Sequence, residues 1–258
     1  MEKLFRAVDE PQPGPFIRQA VEEGRGFVVD WYAKAECIPD PEECRRRVGT
    51  HMPEMLGLFD RMAGCAGDDP AMIAALAGID PPPFIPAGCS VRAFTRPRPT
   101  MLRNYDFHPD ATSAVILRTE WSGRHVLGMS EGGSGLLDGV NDAGVAAALT
   151  FGGRHVYGAG FSIVQIIRYL LQVASDVKEA ADVLRRIALC LGAECTGTGQ
   201  VRKVGLSRAC AGPVAARFRR KCRYEPSGGC GAVPGFRPAV RCGLCVGGGC
   251  GSSARGVC

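Results

Sequence analysis

The chain has 258 residues, enough for one large domain or two ordinary ones. Its 22% charged and 46% hydrophobic residues exclude wholesale disorder. No run of about 18 apolar residues occurs, which argues against a membrane-spanning helix, and Met1 to Pro11 does not read as a secretory leader, so a cytoplasmic location is expected.

The N-terminal third reads as helical. Pro15 stands at a first-turn position and is followed by Phe16, Ile17, Ala20 and Val21, an apolar stripe at helical spacing. A second helix runs from about Pro53, with Met55, Leu56, Phe59 and Met62 on one side. A third opens on Asp69-Pro70, a capping residue with proline at the first helical position, and ends at Gly78. The triplet Pro81-Pro82-Pro83 then enforces an extended connection.

After Pro86 the period becomes that of strands. Ser90 to Thr95 and Thr100 to Asn104 flank the turn residues 96–99 and predict a hairpin, and Ser113 to Thr119 with His125 to Ser130 predict another. The segment from Glu131 to Gly135 lacks the Gly-Lys-Ser/Thr ending of a phosphate loop and reads as a flexible turn. Asn141 to Gly144 is a turn into Val145 to Phe151, whose small residues predict a strand packed closely under another layer. Two helices follow. One starts at Ser162 with Ile163, Ile166, Ile167, Leu170, Leu171 and Ala174 on a broad apolar face, and one starts with the capping box Asp176 to Glu179. Strands followed by paired helices predict a layered α+β protein.

The net charge of +5 hides a break near residue 188. Residues 1–187 carry 20 basic and 24 acidic side chains, whereas 188–258 carry 11 basic ones against Glu194 and Glu225 alone. Nine of the 13 cysteines and 15 of the 35 glycines also fall in this last stretch. Clustered Cys and Arg could mean a zinc- or nucleic-acid-binding module, with Cys242 and Cys245 at knuckle spacing and a basic run from Arg217 to Arg223. A second such pair is absent, and an odd cysteine count speaks against a disulfide framework. A GC-rich gene read out of frame yields mostly Gly, Ala, Arg, Pro, Val and Cys, and that reading fits the tail better. Little packed structure is expected there.

The chemical interest lies at Gly88-Cys89. The first hairpin returns Arg103 and Asp106 toward Cys89, and a cation beside a thiol favours the nucleophilic thiolate. A cysteine at a strand start is more often simply a small buried hydrophobe, so position alone does not decide. His108, His125 and His155 are candidates for a papain-like Cys–His pair, which sequence cannot bring together. Cys37, Cys44 and Cys65, in the helical segment, read as structural.

Pro81 to Phe84, Gly88 to Ser90, Arg103 to Pro109, Gly139 to Gly144 and Leu149 to Gly153 occur in the order seen in one family. From about Pro53 to Ile187 the chain resembles the acyl-CoA:6-aminopenicillanic-acid acyltransferase-like autoproteolytic cysteine peptidases, relatives of the choloylglycine hydrolases. The resemblance implies an α+β fold, the αββα sandwich of the N-terminal-nucleophile (Ntn) hydrolases. It implies self-cleavage between Gly88 and Cys89, after which Cys89 is both nucleophile and new N-terminus. The freed α-amino group, with an ordinary pKa of about 8, can take the thiol proton. By the same resemblance Asp106 holds that amine, Arg103 lies beside the thiol and Thr150 gives a backbone N–H to the oxyanion.

Three regions follow: a helical segment over 1–88, released from the nucleophile by cleavage; a catalytic core over 89–187; and an aberrant tail over 188–258. The family carries a downstream Asn and further strands, yet no Asn follows Asn141, so the sandwich is expected to be incomplete and the chain weakly folded or inactive. The expected substrate is a small amide or acyl compound, with acyl-CoA as a possible co-substrate, no resident cofactor or metal, and neither nucleic acid nor membrane as partner. The competing reading is a non-catalytic, Cys-rich metal- or nucleic-acid-binding protein.

Overall fold

Asp40 and Asp69 each precede a proline, and each starts a helix by the same chemistry. Asp40 accepts from the Glu43 N–H at 2.8 Å, and one oxygen of Asp69 accepts from the N–H groups of Ala71 and Met72 at 3.0 and 3.3 Å. Such caps satisfy donors that have no intrahelical partner. The computed structural model describes residues 3–83, 88–94, 99–108, 112–150, 159–188 and 203–208. Its first part holds α1 (Pro15–Tyr32), α2 (Pro41–His51), a 3₁₀ turn (Pro53–Met55) running into α3 (Leu56–Ala66), and α4 (Pro70–Ala77). Gly78 ends α4 at φ 65°. A Cβ there would collide with the Gln165 side chain, so glycine is required by both conformation and space.

Two elements in this region were not expected. The helix α2 is mostly polar and buries only Cys44 and Val48, one contact row without a broad apolar stripe. The strand β1 (Arg6–Asp9) pairs in parallel with β4 (Val115–Thr119). The N-terminal segment is therefore not helical throughout, because its first residues form an edge of the main sheet.

The remaining strands are β2 (Gly88–Phe94), β3 (Thr100–Asp106), β5 (Val126–Glu131), β6 (Gly135–Asn141), β7 (Val145–Thr150) and β8 (Lys203–Arg208). They form a six-stranded mixed sheet in the order β1-β4-β5-β6-β7-β8 and a separate antiparallel pair, β2-β3. The turn at 96–99 lies mostly outside the described residues. β6 was not expected as a strand, and only its entry, Gly132 to Ser134, is a turn. β8 also departs from expectation: it lies in the compositionally aberrant tail, yet pairs along the whole of β7, from Val145 opposite Arg208 to Thr150 opposite Lys203. The rest of the tail, including Cys242 and Cys245, lies outside the described residues.

Alternation along β6 sets the layers. A Cβ on Gly139 would stand 2.9 Å from Leu171 of α5 (Ile163–Val173), and one on Gly135 2.6 Å from Val164. The helix thus rests on a glycine row, and Ile166, Ile167, Leu170 and Leu171 are wholly buried beneath it. Each such side chain contributes roughly 1.5–3 kcal/mol. Asp138, next to Gly139, points to the opposite face and meets Arg103 of β3. The order is helices, large sheet, small sheet. α6 (Val177–Ala188) packs beside α5, and α4 is tied to the same side by Leu76, whose carbonyl accepts from Ser134 and Gln165 at 3.0 and 2.8 Å.

Candidate active site

The hairpin brings Cys89 and Arg103 to one face. Cys89 pairs with Tyr105 and Val91 with Arg103, and residues opposite each other in an antiparallel pair share a face. Cys89 is 3% exposed, and the Arg103 side chain 5%. Arg103 Nη2 donates to the Cys89 sulfur at 3.5 Å, its Nε to the Leu149 carbonyl at 3.1 Å, and its Nη1 to Asp138 Oδ2 at 3.3 Å. The guanidinium also lies over the Tyr105 ring, 4.6 Å from its centroid. Nε and Nη2 share one edge of a rigid fork, so the sulfur and the Leu149 carbonyl are presented side by side.

Tyr105 stacks on Phe107, with ring centroids 5.4 Å apart. Burial raises the Tyr105 pKa, and the nearby Glu131 carboxylate adds to this, so the phenol is neutral at physiological pH. Glu131 is itself pushed above the ordinary carboxylate range by burial, against hydrogen bonds from Ser113 and Thr112.

Asp106 is reached differently. It stands on the exposed face of β3 and pairs with Gly88, so the register sets it beside the Gly88–Cys89 bond and across the strand from the guanidinium. Thr150 closes β7. With the Leu149 carbonyl taken by Arg103, the planar trans peptide turns the Thr150 N–H away from the guanidinium. His125 is exposed and pairs through Nδ1 with Glu120 at 2.9 Å, His108 is exposed beyond β3, and His155 lies outside the described residues. The thiol's partner is a cation on the neighbouring strand. Cys44 is buried, and burial pushes its thiol up to about 12, which fits a structural role. Cys37 is exposed and Cys65 partly so.

Sequence reasoning missed Asp138 and the Leu149 carbonyl. The signal for Asp138 was weak because β6 carries a bulge. Asp138 opposes Met129 and Leu136 opposes Ser130, leaving Leu137 as an extra residue that re-aims its neighbour.

Among the described residues no group of His, Cys, Asp and Glu could hold a metal ion, and no helix is long and apolar enough to cross a membrane. A layered α+β chain with a thiol fixed against a guanidinium between two sheets has the makings of an acyl-transfer enzyme. The family model for acyl-coenzyme A:6-aminopenicillanic acid acyl-transferase matches residues 95–218, and over this part the chain is similar to that family. The match begins where β2 ends and takes in Arg103, Asp106, Asp138, Thr150 and β8. No curated protein matches the chain.

Proposed function

We propose that the chain is a cysteine Ntn hydrolase or acyltransferase that acts on amide bonds through a thioester acyl-enzyme. The observation that carries this is the 3.5 Å approach of Arg103 Nη2 to the Cys89 sulfur, from a strand inside the family match. In maturation the Cys89 thiol adds to the Gly88 carbonyl, and the peptide C–N bond breaks to leave a thioester and a free Cys89 amine. Water then releases residue 88 as a carboxylate. In turnover the Cys89 amine takes the thiol proton, the sulfur adds to the substrate carbonyl, and the protonated amine product leaves. Water or a second amine then cleaves the thioester.

Arg103 stabilises the sulfur anion in this scheme, and Asp106 holds the new ammonium beside the cleaved bond. Thr150 serves as a backbone donor to the oxyanion, which requires the oxyanion on the side of the Leu149–Thr150 peptide away from Arg103. The αββα sandwich is the corresponding architecture, with small amide or acyl compounds as substrates and acyl-CoA as an acyl donor. For the tail we infer an out-of-frame origin. A family match running to residue 218 and the pairing of β8 with β7 favour a break beyond those residues over one near 188.

Mass spectrometry of the purified full chain is the test. A fragment beginning at Cys89, absent from Cys89→Ala, is expected. An intact Gly88–Cys89 bond in the wild type, and equally in a version whose tail is returned to the alternative reading frame, sinks the proposal.

A further inference from the structure

The Arg103 guanidinium could reach the sulfur in many rotamers, yet three contacts hold it in one. Leu149 fixes Nε, Tyr105 lies under the plane, and Asp138 takes Nη1. Only Asp138 among these carries an opposing charge, and it stands on the face of β6 opposite Gly139 and α5.

We propose that Asp138 is a positioning residue for Cys89: by holding Nη1 it keeps Nη2 on the sulfur. The proposal rests on reading Cys89 as the nucleophile. The charged and titratable groups around the thiol are Arg103, Tyr105 and Asp106 on β3, Asp138 on β6 and Glu131 at the end of β5. On β7, Val145 to Leu149 are all apolar, and Lys203 of β8 stands opposite Thr150 in the ladder. A carboxylate near a thiol by itself disfavours the thiolate. A carboxylate that holds a guanidinium on the sulfur favours it. Removing the charge of Asp138 therefore moves thiol ionisation in opposite directions under the two accounts.

The experiment is alkylation of the full chain by iodoacetamide from pH 5.5 to about 9.5, a span chosen to bracket ordinary thiol ionisation. Each cysteine is followed by peptide mass spectrometry, and chains with residues 88 and 89 joined are read separately from chains beginning at Cys89. In Asp138→Asn the Cys89 midpoint is expected to rise by roughly one unit, slowing alkylation at neutral pH about tenfold. Asp138→Glu recovers most of the rate, and Cys65 is unmoved. In an Arg103→Met background the same substitution no longer raises the midpoint. A Cys89 midpoint that stays or falls in Asp138→Asn overturns the proposal.

If Asp138→Asn opens the fold, buried Cys44 reacts as fast as Cys65, and Asp138→Ser is read in its place. Opening by both variants assigns Asp138 a role in stability and also overturns the proposal. Alkylation needs neither cleavage nor turnover, so an uncleaved chain defeats the hydrolase reading without deciding this one.

Discussion

Two buried arginines lie on opposite sides of the large sheet, each over an aromatic ring, and they are provisioned differently. Arg168 of α5, between helix and sheet, lies 4.4 Å from the Trp121 ring centroid. It donates to the Ser134 carbonyl at 2.8 Å and the Thr119 hydroxyl at 3.0 Å, both neutral, and burial lowers its pKa to about 9. Its Nη2 has no hydrogen-bond partner among the described residues. Arg103, between the two sheets, has a carboxylate on one side and a thiol on the other. A guanidinium anchored by neutral oxygens holds layers together. One anchored by a carboxylate has an edge left for another anion.

Replacing each by alanine gives the largest contrast. Arg103→Ala is expected to slow Cys89 alkylation and any amide turnover on the order of a hundredfold, the usual cost of losing a fixed charge-stabilising donor. Its stability should fall by only about 1–2 kcal/mol. Arg168→Ala should do the reverse, lowering stability in urea by about 3 kcal/mol or more through a cavity and two unpaired acceptors, with alkylation of the folded fraction unchanged. Equal stability losses with equal reactivity losses would erase the distinction between the two sites.

Gly139→Val tests the separation of the two faces. The new side chain meets the Leu127 carbonyl oxygen of β5 at 2.8 Å and Leu171 of α5 at 2.9 Å, and overpacking of this kind costs about 1–3 kcal/mol. The urea midpoint should drop while the pH midpoint of Cys89 alkylation holds, because Asp138 faces away from α5.

The smallest effect concerns Glu131. Its folded-state pKa is raised by burial, so the folded form holds its proton at pH values where the unfolded carboxyl has lost it. That contribution to stability is fully present below the ordinary carboxylate pKa and is lost as pH rises through the folded one. Wild type should therefore gain on Glu131→Gln as pH falls from 7 toward 4.5. A difference in urea midpoint that does not vary with pH would show that burial does not raise the Glu131 carboxyl.

The legible parts of the molecule were those whose signals are local. Asp69, Pro70 and Gly78 mark both ends of α4 within one short segment. A hairpin suffices to return Arg103 to Cys89, and so the thiol–guanidinium pair could be read from the chain. Asp138 could not be, because its direction depends on a bulge whose partner residues lie on another strand and because Gly135, Leu136 and Leu137 are buried in succession without the period-2 pattern of a half-exposed strand. The polar helix α2 lacks the apolar stripe that marks a helix in sequence, although Asp40-Pro41 repeats the signal of Asp69-Pro70. The four residues of β1 carry almost no pattern, and what makes them a strand is β4.

The parallel pairing of β1 with β4 also has a consequence in time. Asp9 and Arg118, which pair across it at 2.7 Å, are separated by 109 residues. At a synthesis rate of about 5–20 residues per second, β1 leaves the ribosome roughly 5 to 20 seconds before its partner exists. Until then Leu4 and Phe5, still 91% and 47% exposed in the finished fold, adjoin a strand with both edges open. Its Arg6 and Asp9 are the kind of charges that discourage unwanted edge pairing. Elongation, rather than strand pairing itself, sets the earliest moment at which this edge of the sheet can close.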